Sequence, residues 1–230
     1  MNILLDVETI DRNYNFICDL SYAIIKRNKI VEIKNFLPLE HLGKMATGSF
    51  SASKTVSTLQ EVTNGNAIIL PYDHIMEILL KDLKQAKYIY AYNATFDRGK
   101  IIETAKVLRS RYTTELENPA IFDKWRCLWA WASHTILYKK SYLDFCEVNN
   151  FKTPKGFYST SAETVLKFLT KNLEYNEQHT ARRDVLDEFL IYRAIKEKVK
   201  REYGEGIQRN EDFKGKPFFT LRKLDTAINT

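Results

Sequence analysis

With 230 residues, 44% of them hydrophobic and 28% charged, the chain has the size and make-up of one folded domain with enough apolar material for a sizeable core. No apolar run nears the roughly 18 residues that a membrane span needs. The start lacks the basic segment, long apolar stretch and small-residue cleavage site of a secretory signal, so a cytoplasmic location is expected. A formal net charge of +6 favours a polyanionic partner without requiring one, and the irregularly spaced Cys18, Cys127 and Cys146 suit reduced thiols better than a zinc site.

In chain order, Asn2 to Leu5 is an apolar run that predicts a buried strand leading into Asp6 and Glu8. Side chains two apart in a strand share a face, so these carboxylates project together. Either a divalent ion sits between them, or Glu8 marks the exit into a solvated turn. Ile17 to Ile25 and Lys29 to Phe36 predict two further strands, joined at Lys26-Arg27-Asn28 as an antiparallel hairpin. Pro38 ends that run. Gly43 to Asn66, rich in Ser, Thr and Gly, reads as a long surface loop with a short helix around Thr58 to Glu61.

Asp73 is placed to cap a helix whose apolar positions are Ile75, Met76, Leu79, Leu80 and Leu83. Lys87 to Tyr92 predicts a strand, Asn93 to Leu108 a helix, Ala120 to Phe122 a short strand, and Asp123 to Tyr138 an aromatic helix. In that helix, Trp125 and Trp129 form a core-packing stripe rather than a base-stacking platform. Leu143 to Cys146 suggests a short helix, Lys152 to Gly156 a turn, and Thr160 with Glu163 a capping box for a helix ending at Thr170. Thr180 to Tyr203 is the longest helical pattern, with Val185, Phe189, Tyr192 and Val199 along one face. Residues 204–230 form a basic, aromatic tail that packs on the domain or extends it. Strands alternating with helices after an initial meander predict an α/β domain with a mixed sheet, a βββαβα core followed by C-terminal helices.

Two other stretches bring carboxylates toward the same sheet edge. Asp97 falls in the first turns of the helix after Tyr92, where on its own it would simply complement the helix dipole. Asp184 opens the long helix. His179 lies five residues earlier, roughly 140° away in one continuous helix, so the two meet only if His179 precedes the helix or sits in a frayed first turn.

Asp6-Val7-Glu8, Asn93 with Phe96-Asp97, and His179-x-Ala181-x-x-Asp184 together resemble the three motifs of the DEDDh 3′-to-5′ exonucleases, the family of the bacterial DNA polymerase III proofreading subunit, RNase T and oligoribonuclease. The resemblance spans about Asn2 to Ala194, and Phe122 to Trp125 and Tyr158 to Glu163 also look similar. It implies an RNase H-like fold over 1–203. It also implies that Asp6, Glu8, Asp97 and Asp184 hold two Mg²⁺ or Mn²⁺ ions, with His179 as general base. Thr9, Ile10 and Asn93 would hold the terminal nucleotide. Ile10 and Tyr92 depart from residues frequent in relatives, which touches nucleotide preference but not the ligands. Only the motif spacing selects Asp184 over the nearby Asp187 and Glu188. The implied substrate is the 3′ end of single-stranded or frayed DNA, with a polymerase as a candidate partner and no membrane. RNA trimming by the same chemistry is the near alternative, and a non-catalytic module that binds nucleic-acid ends or a polymerase is the alternative of another class.

Overall fold

The computed structural model describes residues 1–10, 16–47 and 52–203. Strands β1 (Asn2–Thr9), β2 (Ile17–Lys26) and β3 (Lys29–Pro38) form the expected antiparallel meander. Arg27 and Asn28 join β2 to β3 with φ of 50° and 59°, the left-handed pair that lets a two-residue hairpin follow the strands' own twist. A short 3-10 turn (Leu39–His41), α1 (Leu42–Thr47) and α2 (Ala52–Thr63) lead to β4 (Ile68–Leu70), which runs parallel to the end of β3. Then come α3 (Tyr72–Gln85), β5 (Ile89–Ala91), α4 (Ala94–Val107), the single turns α5 (Thr113–Leu116) and α6 (Pro119–Phe122), and β6 (Trp125–Cys127). The chain continues through α7 (Leu128–Ala132), a π-helical turn (Ser133–Leu137), α8 (Lys140–Val148), α9 (Ala162–Thr170) and α10 (Ala181–Tyr203). The sheet order is β4-β3-β2-β1-β5-β6, with β1 antiparallel to β2 and parallel to β5. This is the expected mixed α/β sheet flanked by helices.

Several local expectations change. The stretch 43–66, expected as loop, is largely helical where described. The longer helix there, α2, is rich in Ser and Thr and leaves Val56 and Leu59 exposed, so it reads from sequence like a polar surface loop. Ala120 to Phe122 is not a strand but part of α6, opened by Asn118, whose side chain accepts the Ala120 N–H, and by Pro119 at the first helical position. The expected aromatic helix from Asp123 instead begins with strand β6, so Trp125 and Trp129 do not share a helical face; Trp125 is buried in the core. Asp73 does not cap α3. Both Glu40 carboxylate oxygens accept the Tyr72 N–H at 3.0 Å, and Asp73 accepts from Ser110 Oγ. The cap of α9 is Ser161, one residue after Thr160, accepting the Thr164 N–H at 3.2 Å. The tail 204–230 lies outside the described residues. Among the described residues no helix is long and apolar enough to cross a membrane, and all three cysteines are buried and none is in a disulfide.

The alternation along β1 sorts its side chains onto two cores. Ile3, Leu5 and Val7 point into one, built with Leu20, Tyr22 and Phe36 of the meander and the inner faces of α3 and α4. Leu4 points into the other, which Tyr90, Trp131, Tyr142, Val165, Ile191, Tyr192 and Ile195 fill under α7 to α10. Tyr90, Trp131 and Tyr192 meet ring to ring there, with centroids 5.1 to 6.2 Å apart, seating α10 across β1 and β2. The next two residues on Leu4's face are Asp6 and Glu8. The second core therefore gives way to carboxylates at the C-terminal end of β1.

Candidate active site

The centre of the site is β1. Its register against β2 sets Asp6 opposite Ser21 and Glu8 opposite Asp19, and a register shift between Glu8 and Thr9 ends the regular pairing. Asp97 arrives from the first turns of α4, and its Oδ1 accepts the Val7 N–H at 3.3 Å, tying the two elements together at the acids. Asp184 arrives from the first turn of α10. His179 precedes that helix by two residues with φ of 52°, a left-handed backbone that breaks helical continuity and brings the imidazole to the same side as Asp184. The angular objection to a joint His179 and Asp184 site therefore disappears.

Asp6, Glu8, Asn93, Asp97, His179 and Asp184 all line one cleft of about 270 Å³, with Phe96, Ser161 and Ala162 among its other walls. A ligand atom from each of Glu8, His179 and Asp184 lies within 4.8 Å of the other two. Thr9 and Ile10 are not among the lining residues. Ile10 is buried against Cys18 and Leu42, beneath the strand end.

Carboxylates packed this closely repel each other's ionised forms. Burial first, and then Asp97, Glu188, Asp184 and Glu8, hold the Asp6 carboxyl far above the ordinary carboxylate range. Burial pushes Asp97 up to about 8, against the hydrogen bonds from the backbone that lower it. Asp184 rises to about 9, chiefly through burial and then through Glu8 and Glu177. Asp6 Oδ2 and Asp184 Oδ1 are buried without a hydrogen-bond partner. Buried, unpartnered, mutually repelling oxygens are costly unless positive charge joins them, and oxygen ligands suit hard divalent cations. The donor set at this cleft therefore fits a hard divalent cation.

The structure also separates Asp184 from its neighbours on α10. Asp187 Oδ2 is taken by the Tyr175 hydroxyl and lies 3.4 Å from Arg183 Nε, whereas Asp184 keeps an oxygen unpartnered. Glu188 was not singled out as a site residue from sequence, yet it is buried on the cleft wall, accepts the Tyr92 N–H at 3.2 Å and bears on Asp6, with its own carboxyl raised by burial and by Asp97. Its spacing of four from Asp184 puts both on one helix face, which was the available signal. Glu177 is the other addition: it lines the cleft, its Oε2 lies 3.9 Å from His179 Nδ1, and burial raises its carboxyl to about 7.

No protein-family model matches the chain, and no curated protein does. Among solved structures, the chain is similar to Exonuclease X in complex with 5′ overhanging duplex DNA, at 15% sequence identity and a TM-score of 0.45, over 94% of this chain and 100% of that one. What the cleft can do chemically follows from its own residues.

Proposed function

We propose that this protein is a metal-dependent 3′-to-5′ exonuclease, with residues 1–203 as its catalytic domain, that releases nucleoside 5′-monophosphates from single-stranded or frayed DNA ends. The observation that carries the proposal is the convergence of four carboxylates and one histidine, drawn from β1, α4 and the start of α10, on one cleft. Two divalent cations held by Asp6, Glu8, Asp97 and Asp184 would offset the carboxylate charge and stabilise the attacking and leaving oxygens of an in-line displacement.

The remaining work falls to the chain's own side chains. His179, nearly half exposed at the cleft, would take a proton from the attacking water and pass it to solvent. Glu177 Oε2, 3.9 Å from His179 Nδ1, sets a carboxylate beside the imidazole on the same cleft wall. Asn93 on the cleft wall and Thr9 at the strand end would hold the terminal nucleotide, while Ile10 is buried against Cys18 and Leu42 and out of its reach. The same chemistry would serve RNA ends.

The test is purified protein with Mg²⁺ or with EDTA, offered 3′-labelled and 5′-labelled DNA and RNA strands. Stepwise release of 5′-monophosphates from the 3′ end, abolished by EDTA, is expected. Internal cutting, or activity that survives EDTA, refutes the proposal. His179→Ala should lower the rate by about 10² to 10⁴ while leaving Mn²⁺ binding in place.

A further inference from the structure

The first turn of α10 carries Asp184 and follows His179, yet it lies beyond the aromatic packing that seats the rest of the helix. Its grip comes from elsewhere. Asp19 on β2 is fully buried, and its Oδ2 accepts the backbone N–H of Ala181 at 3.0 Å. Asp19 also stands directly opposite Glu8 in the β1–β2 register. The strand pair that sets the position of Glu8 thus also grips the helix start that sets Asp184. A second tie reaches the same turn from α2, where Glu61 Oε2 lies 3.6 Å from Arg182 Nη1. Within the turn, Thr180 caps its own helix, its carbonyl accepting the Asp184 N–H at 2.9 Å. A histidine at φ of 52° holds a sparsely populated backbone, and such a conformation persists only where its surroundings over-determine it.

We propose that Asp19 is a positioning residue for the exonuclease site, an acceptor from the neighbouring strand that fixes the Thr180–Ala181 backbone so that His179 and Asp184 face Glu8 across the cleft. The proposal rests on the function proposed above, and its test separates the two. A carboxylate at the first N–H groups of a helix also complements the helix dipole, so this tie and the helix end reinforce each other. Displacing groups that act in one transition state by an ångström can cost about a hundredfold in rate, so a lost acceptor behind the site is expected to appear in turnover before it appears in substrate binding.

The experiment compares Asp19→Ala, Asp19→Asn and Asp19→Glu in the full chain. Asp19→Ala should lower kcat by about 10²-fold with KM for a single-stranded DNA little changed, and weaken Mn²⁺ binding by about 10- to 100-fold. Asp19→Asn, which keeps an oxygen acceptor at the same reach, should recover most of both. Asp19→Glu keeps the charge but moves it by one methylene, and should lose kcat while the chain stays folded, so it stands in if Asp19→Ala does not fold. The His179 ring resonances, followed by NMR without metal or substrate, should move in Asp19→Ala and return in Asp19→Asn. Wild-type kcat in the folded Ala or Glu variants, an Asn variant as impaired as Ala, or an unmoved His179 signal each overturns the proposal. If the wild-type chain lacks nuclease activity, the functional reading falls alone, and the His179 resonances and the Mn²⁺ titration still decide the role of Asp19.

Discussion

The two faces of β1 solve the same folding problem and then diverge. On the face toward α3 and α4, Ile3, Leu5 and Val7 continue an apolar layer, and a buried acid there, Asp82, has matched donors: Tyr22 Oη and Lys34 Nζ each donate to its Oδ2 at 2.7 Å. On the face toward α10, the layer that begins at Leu4 ends in Asp6 and Glu8, joined by Asp97, Asp184 and Glu188, and two of the carboxylate oxygens there have no partner. A buried acid with matched donors is part of the scaffold. A buried group of acids left without them is shaped for something that binds.

The contrast can be broken most forcefully on the acidic face. Asp184→Asn should lower kcat by about 10³-fold or more, because several kcal/mol of charge stabilisation would depend on the cations it is proposed to hold, while Asp187→Asn should keep most of the activity. Comparable losses from both, in single-turnover assays, would erase the distinction drawn between these residues. On the apolar face, Leu5→Ala should cost about 2–5 kcal/mol in urea unfolding through lost burial and the cavity left behind, with kcat per folded molecule unchanged. Asp82→Ala should cost about 1–3 kcal/mol, since it leaves the Tyr22 hydroxyl and the Lys34 ammonium without their acceptor, again with no change in kcat.

The smallest effect sharpens the comparison through pH. Asp97 and Asp184 titrate near 8 and 9 in the folded chain against an ordinary aspartate value of 3.8, so the folded chain keeps protons that the unfolded chain releases. Their contribution to stability is complete below about pH 4 and is lost as pH rises through 8 and 9. Differential scanning calorimetry of metal-stripped protein should show the melting temperature falling by a few degrees between pH 5 and pH 9, with added Mg²⁺ restoring most at the alkaline end. A melting temperature that rises over that interval would mean the acids are already matched with positive charge.

The meander was legible because β1 to β3 are long, free of internal breaks and joined by a two-residue turn. The four motif acids and His179 were legible because strand ends and helix starts announce themselves, and because their order resembles a known family. What escaped did so for local reasons. Strands β4 and β6 have three residues each, too few for an alternation to show, and the tryptophans of 125–131 fit a helix as readily as a strand edge. Glu188 belongs to no motif, and its spacing of four from Asp184 on α10 is the only local sign that it faces the same cleft. Asp19 is less visible still, because a single acid in an apolar strand acquires meaning only from its partner 162 residues away.

That last separation bears on how the molecule comes together. The hydrogen bond from Ala181 to Asp19 closes nearly the whole described chain, and contacts so distant in sequence bear a large loop-closure entropy before they return any stability. Helices such as α3 and α4 and the β2–β3 hairpin are built from near neighbours and can form early, whereas the acidic cleft exists only once the last long helix has docked on the first strand. The proposed hydrolytic activity would therefore be a readout of complete folding. In a refolding experiment it should return after the helical circular dichroism signal, on the timescale of the slowest tertiary step.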